Sequence, residues 1–272
     1  MYKKYIQIFD LRELKWLRKK GKRIFVTFQG DDARLASFHK ENFDINLAQS
    51  QEYFNNNSEK EDYNKHCVQM FAKYADKIFA LNPDLLHTLP TQAVFLPYAS
   101  LDLNEWKYVG VNLKSELKIV HAPTERNTKG TKYILEAVEK LKSEGFKFEF
   151  LLIENIPRSK AKILFEKSDL LLDQLLGGWY GGLGLEFMAL GKPVVCYIRQ
   201  EDLKFIPAKM KAELPVINAD PYTIYAVLKD CLTVNRQKLP GIGELSRKYA
   251  ENWHDPLKIA KKMKAYYEAS ME

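Results

Sequence analysis

Residues 173–198 read DQLLGGWYGGLGLEFMALGKPVVCYI, the densest pattern in the chain. The residues that lead into them, Leu170 to Asp173, are apolar up to the final carboxylate and read as a buried strand. Gly177, Gly178, Gly181, Gly182 and Gly184 follow, and a helix is expected from Gly182 to Leu190, stopped by Gly191 and Pro193. Val194 to Ile198 reads as the next strand. Glycines let the main chain approach a ligand closely, and a helix that starts there offers free N–H groups and partial positive charge. Both favour a phosphate or diphosphate. Glu186, one turn into the helix, is placed to accept hydrogen bonds from sugar hydroxyls. The pattern suits a ribose-diphosphate compound. A turn built only for tight strand–helix packing carries the same glycines, and a glycine loop alone does not separate the two.

Outward from this stretch the chain alternates. Leu117 to Val120 reads as a strand. Thr131 to Glu144 reads as a helix with Ile134, Leu135, Val138 and Leu141 at helical spacing and Gly145 past its end. Phe146 to Ile153 is an expected strand and Ser159 to Lys167 a helix. Pro221 to Cys231 and the basic segment from Pro256 to Glu268 are helical in pattern. Upstream, Lys22 to Phe28 (KRIFVTF) reads as a buried strand after a basic helix, Leu11 to Lys20, closed by Gly21. Asp44 to Asn64 is polar and asparagine-rich, a long loop or irregular helix. A helix from Tyr63 to Ala75 and short strands at Lys77 to Leu81 and Ala93 to Leu96 follow. Pro97 to Ser115 lacks periodicity and reads as an interdomain linker. Strand and helix in alternation with short connections imply an α/β fold with parallel sheets, whose ligands bind at the carboxyl ends of the strands.

Two segments resemble family-4-type retaining glycosyltransferases of the GT-B fold. Those proteins carry a run like E-G-F-G-L-x-x-x-E-A-M-A-x-G-x-P-V, and residues 186–195 (EFMALGKPVV) match its second half while Tyr180 and Gly181 match its F-G pair. The resemblance implies that Glu186 binds the donor ribose. The run's first glutamate falls at Gly178 here, so its contact to the donor sugar is unassigned, and Asp173 at the preceding strand end is the candidate to replace it. Residues 121–130 (HAPTERNTKG) are similar to the family's strand–loop–helix whose arginine and lysine neutralise the donor diphosphate. Lys129 and Gly130 carry over directly and Arg126 lies in the right loop. Residues 27–32 (TFQGDD) resemble the strand end where the family often has a histidine near the donor sugar, which makes Gln29 and Asp31 catalytic candidates; helix capping is the plain alternative for Asp31 and Asp32. Residues 75–82 (ADKIFALN) and 96–99 (LPYA) are similar to the family's later strand and its exit to the linker.

The expectation is therefore a GT-B-like α/β fold of two Rossmann-like parallel-sheet domains. They span residues 1–105 (acceptor side, lacking the first strands of the family's domain) and 106–255 (nucleotide sugar), with 256–272 packing back towards the first. The implied substrate is a nucleotide-diphosphate sugar, UDP or GDP, with no cofactor and no metal. Donor-binding candidates are Arg126, Lys129, Gly130, Tyr180, Gly181, Gly182 and Glu186; the implied acceptor is a glycan or lipid-linked glycan. Two rivals stand beside this reading: a non-catalytic donor-binding or scaffold subunit, and a sugar-nucleotide epimerase of the same fold.

Composition narrows the rest. In 272 residues, 46 % hydrophobic and 28 % charged describe an ordinary globular chain. No apolar run nears the ~18 residues of a membrane span. Ile6 to Phe9, cut by Asp10, is too short for a secretory leader. Three scattered cysteines form no metal-ligand pair and fit a reducing cytoplasm. The net charge of +7 attracts phosphates, yet no zinc finger or RNA-recognition strand is present, so nucleic acid is not an expected partner. Leu11, Leu14 and Leu17 beside a run of lysines and arginines fit either a helix packed on the Ile24 to Phe28 strand or one lying on the anionic inner face of a membrane. Self-association or a partner chain is expected if the first domain leaves a sheet edge open.

Overall fold

The computed structural model describes residues 11–270. The leader reading, on Ile6 to Phe9, lies outside the described residues, as do the outermost ends of the two terminal segments. Two parallel sheets organise the chain. The first holds β1 (Phe25–Phe28), β2 (Lys77–Ala80) and β3 (Ala93–Phe95) in the order β1-β2-β3, with Val26 opposite Ile78 and Phe79 opposite Val94. The second holds β4 (Lys118–His121), β5 (Glu149–Leu152), β6 (Leu170–Leu172), β7 (Val194–Cys196) and β8 (Ile217–Asn218) in the order β5-β4-β6-β7-β8.

That order decides where chemistry can happen. From β4 the chain moves outward to β5 and then returns across β4 to lay down β6, so the direction of winding reverses between β4 and β6. A crevice opens at such a reversal, beyond the carboxyl ends of the two strands. The short helix after β4 ends at Lys129, and β6 runs directly into Asp173 and the glycine turn.

Burial follows the pattern that both-face coverage requires. All three residues of β6 and all three of β7 are fully buried, as apolar strands of a covered parallel sheet are. Val120, Leu171 and Val194 face one core, with Phe187 and Met188 of the Gly182–Ala189 helix. Ile119, Leu170, Leu172 and Val195 face the other, against Ile134, Val138 and Leu141 of the Thr131–Ser143 helix. In the first sheet Phe28, Ile78 and Ala80 share one core. The opposite face, Phe79 with Leu96, is closed by Ile259 of the Pro256–Ala269 helix. Tyr267 of that helix meets Phe25 edge-on at 4.3 Å, and Tyr266 meets Phe79 at 5.3 Å.

Several local readings change. The asparagine-rich stretch contains a regular helix, Gln51–Ser58, started by Ser50, whose hydroxyl accepts from Tyr53 N–H. A long helix at Leu239–Trp253 lies where the sequence shows Pro240, Gly241 and Gly243. The linker 97–115 is irregular but packed: Leu101 and Trp106 are buried, and Arg247 donates to the carbonyls of Trp106 and Ala189. The basic Arg12–Lys19 helix turns Leu14 inward, and Arg18 and Arg23 hold Asp76. Among the described residues no helix is long and apolar enough to cross a membrane.

Candidate functional site

Lys129 and Asp173 meet at the reversal point. The Lys129 Nζ lies 3.3 Å from Asp173 Oδ1 and donates to Gln174 Oε1 at 2.8 Å. Asp173 Oδ2 accepts the Gly181 N–H at 3.0 Å. A β-carbon at Gly184 would lie 2.9 Å from the same carboxylate, and one at Gly181 3.4 Å from Lys129 Nζ. The glycines therefore have a geometric duty: they let the ammonium and the carboxylate lie directly against the start of the helix. The helix itself begins at Gly182 without a side-chain cap, and the space over Gly182 is open. An open helix start with a lysine beside it has the geometry that favours an anion.

Glu186 is one turn further on and half-buried. It faces a cavity of about 570 Å³ lined by Leu101, Ile153, Asn155, Arg158, Gly182 and Glu186 itself. That volume lies within the range of small-molecule sites. Burial raises the Glu186 pKa, with the Arg158 guanidinium, hydrogen-bonded to it, opposing the rise. Gly182, where the helix starts, and Glu186 both line this cavity; Lys129 and Asp173 are not among its lining residues.

The other candidates separate. Arg126 opens the short Arg126–Lys129 helix, where Glu125 caps the N–H groups of Asn127 and Thr128. Its exposed guanidinium pairs with Glu154, 2.8 Å from Nε, at the edge of that cavity; the hydrogen bond and charge of Glu154 raise the Arg126 pKa. Gly130 takes a left-handed φ of 73° and joins that helix to the next. Asp173 is the candidate to replace the first glutamate. Its side chain is 1 % exposed and holds Lys129 and the Gly181 N–H.

The Tyr180 ring is fully buried, and its hydroxyl donates to His254 Nε2 at 2.8 Å. His254 Nδ1 in turn donates to the Tyr98 carbonyl, which fixes the neutral tautomer, and burial lowers its pKa to about 4. Gln29 and Asp31 lie at the carboxyl end of β1. Gln29 N–H donates to Asp32, and its carbonyl accepts from Asn82. Asp31 is half exposed, with Arg34 Nη1 and the Tyr53 hydroxyl each 2.6 Å from Oδ1. No described contact joins either residue to Glu186 or Lys129.

Position 178 explains the missing glutamate. Gly178 has φ of 77°, and a β-carbon there would lie 2.6 Å from Arg199 Nη1 and 2.8 Å from its Cζ. A buried arginine stands where that side chain would begin. Sequence reading also passed over Lys192, which is 1 % exposed and donates to the carbonyls of Gly110, Glu166 and Ser168. Burial lowers its pKa to about 8. The lysine of the resembling segment is thus a strut between linker and sheet. His121, the last residue of β4, donates from Nδ1 to the Leu172 carbonyl and accepts from Thr131, which ties β4 to β6 at the crevice floor.

No family model matches the chain, and no curated protein matches it in sequence. Solved structures do. HepE from Anabaena in complex with UDP superposes with a TM-score of 0.63 at 12 % identity, over 96 % of this chain and 76 % of that one. A glycosyltransferase from Rickettsia africae gives 0.56 at 12 % identity, over 95 % and 80 %. An alpha-glucosyltransferase in complex with UDP and a 13-mer DNA gives 0.54 at 12 % identity, over 94 % and 75 %. At such identities the likeness establishes the fold: an α/β chain of two Rossmann-like parallel sheets, GT-B-like in arrangement.

Proposed function

We propose that the chain is a glycosyltransferase that takes a sugar from a nucleotide-diphosphate sugar. The observation that carries this reading is the uncapped helix start at Gly182, with Lys129 against the neighbouring Gly181 and with Glu186, one turn on, lining the same cavity as Gly182. Lys129 and the helix N–H groups stabilise the diphosphate as its charge develops on leaving. Glu186 accepts from the ribose hydroxyls, and the cavity beside Ile153 and Asn155 takes the base. UDP is the base-bearing group of choice, because HepE and the alpha-glucosyltransferase are described in complex with it. Retention and a glycan or lipid-linked acceptor are the finer parts of the proposal and rest on the resembling segments. The donor-side unit is assigned to 106–255 and the acceptor-side unit to 1–105, with the Pro256–Ala269 helix against the latter.

One observation favours the non-catalytic rival. The position of the first glutamate is filled by Arg199, and Asp173 is buried, so neither supplies a carboxylate to the donor sugar. A panel of UDP- and GDP-sugars, followed by binding calorimetry together with transfer and hydrolysis, decides. Binding with turnover supports the transferase. Binding without turnover selects the rival, and no binding removes both.

A further inference from the structure

Arg199 follows β7 and is 1 % exposed. On one side it belongs to the glycine turn: its N–H donates to the Gly178 carbonyl at 2.9 Å, and its guanidinium fills the space over Gly178. On the other side it belongs to the amino-terminal part. Nη2 donates to the Ile45 carbonyl at 2.9 Å, and the guanidinium lies 4.1 Å from the Phe43 ring centre. Nη1 pairs with Asp202 at 3.1 Å, and the other carboxylate oxygen of Asp202 lies 2.9 Å from His87 Nε2. One side chain therefore touches the turn that starts the anion-binding helix and two residues of the opposite half, Ile45 and Phe43, and through Asp202 it is linked to a third, His87.

Stability alone does not account for this. A buried ion pair gains little over apolar side chains of the same volume, and Arg199 Nε has no hydrogen-bond partner among the described residues. The guanidinium is rigid and planar, so it transmits position better than an ammonium on a flexible stem. We propose that Arg199 is a positioning residue that couples docking of the amino-terminal half, through His87 and Asp202, to the shape of the Gly177–Gly182 turn and so to diphosphate binding. The proposal rests on the donor reading above.

The test uses the whole chain with UDP, GDP, uridine and guanosine as probes, titrated by calorimetry. Arg199→Ala is expected to weaken the nucleoside diphosphate about tenfold, a typical coupling between sites, and to leave the nucleoside unchanged, because Glu186 and its cavity do not touch Arg199. His87→Ala, on the far side of the link, should weaken the diphosphate in the same direction. It should add nothing once Arg199 is already alanine. Arg199→Lys keeps the charge and should fail to restore binding. Equal losses for nucleoside and diphosphate, additive effects of His87 and Arg199, or full restoration by lysine each overturn the coupling. If the unaltered chain binds neither diphosphate, the donor reading itself falls and the coupling with it. Urea unfolding of each variant confirms that a folded protein is being titrated.

Discussion

At the scale of single residues, charge placement carries the proposed chemistry. Glu186→Gln is expected to weaken UDP and uridine alike, by about ten- to hundredfold, since a charge-assisted hydrogen bond contributes roughly 1.5–3 kcal/mol. Calorimetry with unchanged affinity would take Glu186 out of the ribose role. Lys129→Ala should separate the two ligands: UDP weakens by about tenfold or more, uridine does not. The same loss for both would show that the lysine acts by bracing Asp173. The sequence made Lys129 and Glu186 visible through the resembling segments, residues 121–130 and 186–195. It did not reveal the direction of side chains on residues next to glycines. Tyr180 and Asp173 both border the crevice in sequence, yet the backbone turns one into the core and folds the other under the helix start. Arg199 was invisible because its partners, Ile45 and Phe43, lie far away along the chain.

At the scale of elements, apolar runs bounded by turn residues identified all the strands except β8, which is two residues long and offers no period. The Leu239–Trp253 helix was hidden by Pro240, Gly241 and Gly243. Proline is tolerated in a first helical turn, and Gly243 has its own cause. A β-carbon there would fall on the Gly191 carbonyl oxygen, so the helix crosses the end of the Gly182–Ala189 helix at glycine-to-backbone contact. Gly243→Ala, which raises helix propensity, is therefore expected to destabilise the protein by about 1–3 kcal/mol through overpacking. Urea unfolding checks this, and a stabilised variant would contradict the close crossing.

At the scale of the whole molecule, acid should loosen the fold over a defined window. Burial lowers the pKa of His39 to about 3 and those of His121 and His254 to about 4. Each is neutral in the folded state and takes a proton on unfolding below its usual value near 6.5, so each loses stability as pH falls from there towards 4. Asp202 works in the opposite sense: burial raises its pKa to about 6, so the folded form binds a proton between pH 6 and its ordinary range. Three groups against one leave about two protons in favour of the unfolded chain. Stability should fall by roughly 3 kcal/mol per pH unit between pH 6 and 4. Urea midpoints that stay level across that range would show the imidazoles to be more exposed than the structure places them. The packing of the Pro256–Ala269 helix on the face of β1, β2 and β3 has a consequence for biosynthesis. On the ribosome, the strands that it covers emerge some 160 residues earlier than the helix. At 5–20 residues per second, roughly 10–30 s pass with Phe79 and Leu96 bare. During that interval the segment is a client for chaperones, and nascent chains stalled before residue 256 should be cleaved by protease within β1–β3 while the released chain resists.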